Sequence, residues 1–271
     1  MAAESIGASP NVGPSPWRRL VSSYGTPIVS VTAFLLLWQL LIVVVRPNEI
    51  LFPAPAAVVG QLIEVARDGL LWPAFTDSMT ALAIGLGAAL VVGPVVGLLI
   101  GMLRTADLIA GPYLWAGFAT PDIAIAPLVI IWLGFGIEAK VWMVFFAALI
   151  PLVLSCKEGV QSVDASLVRA ARSFGASRLS LFRSVMVPST MPFIASGVRN
   201  AVSRGFVGLL VVEITVGSGG LGTEVMRATS DFNAARTFAF IVVLVVIALV
   251  LISLSKRLEA YTSRWREEVA L

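Results

Sequence analysis

Four charged residues, Asp122, Arg199, Arg204 and Glu213, sit inside stretches that are otherwise almost wholly apolar. A charged side chain at the centre of a bilayer costs roughly 2.5 kcal/mol or more, so such groups pair with one another or face a wet cavity. Asp122 is therefore a candidate either for lining a pathway or for an ion pair with Arg104, Arg199 or Arg204. Arg199 and Arg204 lie near one end of their stretch, where long side chains reach the interface or find a partner. Other chemistries lack their residues. There is no histidine, which removes His-based metal sites, His acid–base catalysis and histidine triads. Cys156 stands alone and allows no internal disulfide. Nothing reads G-x-x-x-x-G-K-[ST], and the only lysines are Lys140, Lys157 and Lys256, so no phosphate-binding loop is present. Clustered metal-ligand or nucleophile spacing is absent too, and the expectation is neither a catalytic centre nor a metal.

The elements that would position these groups are membrane helices. The chain is 58% hydrophobic and 13% charged, with a mean hydropathy of +0.94, against ~25% charged in average soluble domains. About 20 apolar residues cross a bilayer as a helix. Six runs qualify: 27–45, 79–103, 108–133, 141–155, 193–216 and 237–254. With the N-terminus inside, twelve Lys and Arg fall on the inner side and five (Arg46, Arg67, Lys140, Arg227, Arg236) on the outer. The positive-inside rule then places both termini in the cytoplasm. The net charge of +3 is spread over loops beside apolar runs, without the aromatic-plus-basic surface of a nucleic-acid binder.

Residues 1–25, rich in Pro, Ser and Gly and ending in Trp17-Arg18-Arg19, read as a disordered cytoplasmic tail rather than a cleavable signal. Residues 26–255 form the membrane domain and 256–271 a cytoplasmic tail. Within the second run, Ala81, Gly85, Ala89, Gly93, Gly97 and Gly101 make a ridge of small residues at every fourth position, with Pro94 beside it. Such a ridge lets another helix approach closely, either as static packing or as a surface for sliding. The stretch 46–77 is too polar to span; in it Val59, Leu62 and Ile63 form the apolar side of an amphipathic helix. The glycines of 217–222 give a flexible outer loop, suited to a gate.

Between the fourth and fifth runs lies a basic segment, 164–192. Leu167, Ala171 and Phe174 fall at i, i+4 and i+7, the stripe of a short helix. Ser162 or Asp164 caps its start, and Gly175 takes the left-handed position at its end. Ser177 caps a second short helix with the stripe Leu179, Phe182 and Met186, stopped by Pro188 and Pro192. Arg169, Arg172, Arg178 and Arg183 decorate the outside. Two bent amphipathic helices between spans make a knob for gripping a second protein.

This segment resembles the cytoplasmic loop of ATP-binding cassette importer permeases, the binding-protein-dependent transport family. That family's pattern is Glu-Ala-Ala, three residues, Gly, nine residues, Ile-x-Leu-Pro. Here Arg169-Ala170-Ala171 leads at the same spacing to Gly175, and then to Val185-Met186-Val187-Pro188. Arg replaces Glu, and Val replaces both Ile and Leu. Phe52-Pro53-Ala54-Pro55, the run from Pro127 to Ile137, Gly159 to Asp164 and Gly219-Gly220-Leu221-Gly222 are similar to the nitrate, sulfonate and taurine branch. The similarity covers about 52–228.

The resemblance implies an all-α polytopic bundle of the type I (MetI-like) importer permease fold. The loop 156–191 would be the coupling element docking on an ATPase subunit through Leu167, Arg169, Ala170, Ala171, Phe174, Gly175 and Pro188. It further implies a homodimer in a bacterial inner membrane, served by a cytoplasmic ATP-binding subunit and an extracytoplasmic solute-binding protein. ATP and Mg would reside on the ATPase, leaving this chain without a cofactor. Asp122, Gly93, Gly97 and Glu213 are the pathway candidates. A Glu at the place of Glu213 is common in the family whatever the substrate, which favours a structural or gating role there; proline is common where Asp122 stands. The expected cargo is a small sulfonate-, nitrate- or vitamin-precursor-like nutrient, with a neutral or cationic nitrogen heterocycle preferred. The rivals are an ion-coupled secondary transporter, which would need an internal repeat and an intramembrane relay, a membrane enzyme and a membrane scaffold.

Overall fold

A computed structural model describes residues 26–48 and 51–262, and all regular structure among them is helical. The expected tail at 1–25 and the last nine residues lie outside that set. In chain order the helices are α1 (Thr26–Val45), α2 (Pro55–Arg67), α3 (Leu71–Met102), α4 (Arg104–Ala119), α5 (Asp122–Leu133) and α6 (Ile137–Gln161). Next come α7 (Ala165–Ser173), the short α8 (Arg178–Leu181), α9 (Val187–Val216), α10 (Leu221–Ser230) and α11 (Ala234–Thr262). The last helix thus continues well past residue 255.

Four stretches among the described residues are long and apolar enough to cross a bilayer: α3, α6, the one containing α9, and α11. The third expected span is corrected. Residues 108–133 do not form one helix; α4 and α5 meet at a 100° bend. The cause is local. Proline disfavours helical backbone in the residue before it, and Thr120, with ψ 128°, ends α4 ahead of Pro121. The apolar part of α1, Val29–Val45, is shorter and almost wholly exposed, touching α11 through Trp38 and Phe238 at 5.6 Å between ring centroids.

The core is α6, held between α3 and α9. On one side the small-residue ridge of α3 meets it: Ala81 and Ala89 are fully buried, and side chains of α6 fill the spaces beside the glycines. On the other side Gly197, Gly205 and Gly208 of α9 lie against Ser155, Ala148 and Ala147. Removing Cβ atoms brings the backbones close enough for dispersion contacts that an apolar solvent cannot supply by exclusion. The expected amphipathic helix forms as α2, but with a different inward face. Val58 and Val65 are buried, whereas Val59 and Ile63 are exposed, because α2 packs on α11 through its Val58–Val65 side.

A Cβ at Gly97 would lie 2.6 Å from Cys156 Cβ and 2.7 Å from the Val153 carbonyl oxygen. Backbone cannot yield as a flexible side chain does, so Gly97→Ala is expected to destabilise the protein by about 2 kcal/mol. Thermal melting in detergent checks this, with Gly87→Ala, which has nothing within 4 Å of its Cβ position, as the neutral control.

Candidate functional site

The basic segment folds as the sequence prescribes at its start. Asp164 Oδ1 accepts the Ser166 N–H at 2.7 Å and caps α7. That bond holds the Asp164 carboxyl below the ordinary carboxylate value, aided by its Ser166 partner's hydroxyl and by Arg169. At the far end the Ala176 N–H reaches Ala171 O at 3.1 Å and the Gly175 N–H reaches Arg172 O at 2.9 Å, with Gly175 at φ +78°. This pair of bonds is the Schellman closure, and it turns the chain sharply. Ser177 Oγ then accepts the Ser180 N–H at 3.2 Å and starts the next turn.

Nothing within α7 is buried. Leu167 is 52% and Phe174 91% exposed, Ala171 is half-buried, and Arg169, Ala170, Arg172, Arg183 and Pro188 face solvent. The side chain of Arg178 lies outside the described set. The apolar stripe is therefore complete, and no described residue covers it. One expectation is corrected. Pro188 and Pro192 do not stop the second helix, because α8 passes through a π-helical turn, Phe182–Met186, straight into α9. Pro188 follows directly on the π-helical turn, at the second position of α9.

A depressed carboxyl stabilises the cap above its ordinary pKa and loses that effect only as pH falls through the lowered value. Asp164→Ala should therefore give several-fold faster amide exchange at Ser166 across about pH 5 to 8. In the unmodified protein the same loosening should come only in acid.

Asp122 stands in the first turn of α5, just past the bend. Of the pairings open in sequence, the one with Arg204 forms: Arg204 Nη1 lies 3.6 Å from Asp122 Oδ2. Arg204 Nη2 also donates to Phe118 O at 3.1 Å, and its guanidinium sits 5.1 Å from the centre of the Phe118 ring. Arg199 pairs instead with Glu259 of α11 at 2.8 Å. Beneath the bend lies a cavity of about 470 Å³. Asp122 borders it, with Ile125, Val129 and Trp132 of α5 and Trp142 and Phe146 of α6. Trp142 and Phe146 stack at 5.2 Å between centroids.

The other pathway candidates lie elsewhere. Gly93 and Gly97 face into the α3–α6 seam, where Leu152, Val153 and Cys156 fill the space beside them. Close packing, one of the two roles open to the ridge, is what these two glycines serve here. Glu213 is completely buried. Its Oε1 accepts from Ser78 Oγ at 2.7 Å and its Oε2 from the Gly222 N–H at 2.9 Å. Beside it is Lys140, expected in an outer loop but completely buried in α6. Lys140 Nζ donates to Asp77 Oδ2 at 2.6 Å and Gly219 O at 2.8 Å, and approaches Glu213 Oε1 at 3.5 Å. The loop 217–222 is thus lashed to α3, α6 and α9. Sequence reasoning missed Lys140, Asp77 and Ser78. The available signal was Glu213 itself, since a carboxylate at that depth needs a cation, and Lys140 is the nearest lysine to an apolar run.

A family model described as binding-protein-dependent transport system inner membrane component matches residues 93–266. The taurine transport system permease protein TauC of Escherichia coli (strain K12) is 29% identical over 259 residues, covering 93% of this chain and 94% of that protein. The riboflavin transport system permease protein RibX of Chloroflexus aurantiacus is 29% identical over 255 residues, covering 93% and 95%. Among solved structures, the inward-facing MetNI methionine ABC transporter superposes with a TM-score of 0.62 at 19% identity, covering 73% of this chain and 99% of that one.

Proposed function

The chain belongs to the binding-protein-dependent transport system inner membrane component family, and from that premise we propose that two copies of it form the pathway of an ABC importer. It is a membrane-embedded permease that works with an ATPase and a binding protein. In our reading each copy sets its knob on one ATPase subunit at the cytoplasmic side, where both termini also lie. ATP and Mg are held by that subunit, since this chain offers no phosphate loop. Closure of the ATPases pushes the paired knobs and rocks the spans between inward- and outward-open states.

One observation carries this reading: the apolar stripe of α7 is rigidly capped at both ends, yet Leu167 and Phe174 stand 52% and 91% exposed. A fixed, uncovered hydrophobic face at a bend suits a protein partner. The test is co-purification with a Walker-type ATPase encoded beside this chain, then uptake in vesicles loaded with ATP, with a ligand screen on the binding protein. Uptake that needs ATP supports the reading. Uptake that persists without the ATPase and collapses with an ion gradient would replace it with a secondary transporter.

We place the pathway along the broken span, with Asp122 at its wall and Glu213 in the brace of an outer gate. The relatives named above carry taurine and riboflavin by their names. For this chain the cavity favours the second kind of cargo. Trp132, Trp142 and Phe146 offer flat apolar surfaces, and Asp122 is the only carboxylate on the wall. A planar nitrogen heterocycle, neutral or cationic, can stack there and donate to Asp122, while a sulfonate would meet an apolar wall and a like charge. Asp122→Asn is expected to leave assembly intact and to change uptake about fivefold or more. Unchanged rate and substrate range would make Asp122 a structural partner of Arg204 alone.

A further inference from the structure

The broken span is poorly anchored by packing. Gly111 is the single buried residue of α4, while Leu108, Ile109 and Tyr113 are 70%, 64% and 76% exposed. What ties α4 to the core near the knob is polar. Asp107 Oδ1 meets Lys157 Nζ at 2.5 Å, and Asp107 Oδ2 accepts from Gln161 Nε2 at 2.8 Å. Lys157, with its side chain 9% exposed, belongs to α6, and Gln161 is the last residue of that helix. Three residues further on, Asp164 caps α7. At the bend, the second tie is Arg204 of α9 on Asp122 and Phe118. The two helices that enter and leave the knob, α6 and α9, therefore grip the broken span at its start and at its bend.

We propose that Asp107 and Lys157 form a positioning clasp that transmits motion of the knob to the broken span. This rests on the importer reading above. A carboxylate with both oxygens engaged by the terminal turns of α6 moves with that helix end, and α4 buries only Gly111 of its own residues against the rest of the body. Neither Asp107 nor Lys157 lines the aromatic cavity, so the clasp acts on coupling and not on recognition.

The test uses the full permease purified with its ATPase subunit. Cys156, the only cysteine, is completely buried, so Tyr113→Cys on the exposed side of α4 can carry a single environment-sensitive fluorophore. Trapping with MgATP and vanadate should shift its emission. In the Asp107→Asn and Lys157→Met backgrounds the shift should fall about fivefold or more, while ATP hydrolysis stays within about threefold of the parent. A merely structural role would lower hydrolysis and assembly together and leave the response of the surviving complex intact. An equal shift in the clasp variants, or no shift in the parent while it hydrolyses ATP, overturns the proposal. Failure of the parent to assemble with the ATPase would instead overturn the importer reading. Should Asp107→Asn not assemble, Lys157→Met, which breaks the same bond from the other side, decides: a reduced shift supports the clasp and a full one refutes it.

Discussion

Lys140→Met should be the most damaging single substitution in the membrane domain, costing about 3 to 5 kcal/mol of stability. Lys140 is completely buried and spends its donors on Asp77, Gly219 and, at longer range, Glu213. Methionine fills a similar volume but leaves Glu213 without a counter-charge in a site closed to water, with Asp77 about one-third exposed beside it. Leaving one member of a buried pair uncompensated is far costlier than never having built the pair. The loss spreads because the loop depends on the same groups: Leu221 N–H donates to Ser78 Oγ at 2.9 Å, and Gly222 N–H to Glu213. Neither can a larger residue take the place of Gly220, at φ +91°, whose Cβ would collide with Glu213 Oε1. Size-exclusion melting in detergent measures the effect. Glu213→Gln, which removes the charge but keeps an acceptor, should cost less than Lys140→Met. A Lys140→Met protein that melts with the parent would mean that the brace carries no stability.

Gly175→Val should abolish most ATP-driven uptake, by about tenfold or more, while the protein still folds. Nothing lies within 4 Å of a Cβ at this position, so space is not the obstacle. The obstacle is φ +78°, a region in which a β-branched residue is held only at a cost of about 1 to 2 kcal/mol. The turn relaxes instead. It gives up the bonds to Ala171 and Arg172 and re-aims Phe174 relative to Leu167. Because α7 has no buried residue, this change leaves the core untouched and falls on docking. Paired measurements of ATP hydrolysis and uptake separate the two effects. Gly175→Asn, which enters the left-handed region at lower cost, should retain part of the uptake. Uptake unchanged in the valine variant would deny the knob its coupling role.

What could be read in advance follows the range of the forces involved. The knob was legible because its determinants are local. Asp164 bonds a residue two positions away, Gly175 one three positions away, and the stripe Leu167, Ala171, Phe174 follows from helical period alone. The α3 ridge was legible as a ridge, but not what it met. Ala81 to Gly101 required a close neighbour, and sequence could not say that α6 would occupy the face wherever Gly93 and Gly97 were expected to border open space. The bend at Thr120–Pro121 was present in the sequence as a proline, yet apolar length alone merged 108–133 into one span. The partners of charged residues were illegible in a stronger sense: Lys140 finds Asp77 across 63 positions and Ser78 finds Glu213 across 135.

By itself, then, the amino-acid order determined that the chain is a helical membrane body carrying a capped, half-apolar knob, because hydropathy, helical period and turn chemistry act over a few residues. Only the tertiary structure decided which charges neutralise one another, which small-residue face is core, and where the cavity opens. Those depend on distant segments meeting in a medium where an unpaired charge is intolerable and many pairings would satisfy the same composition.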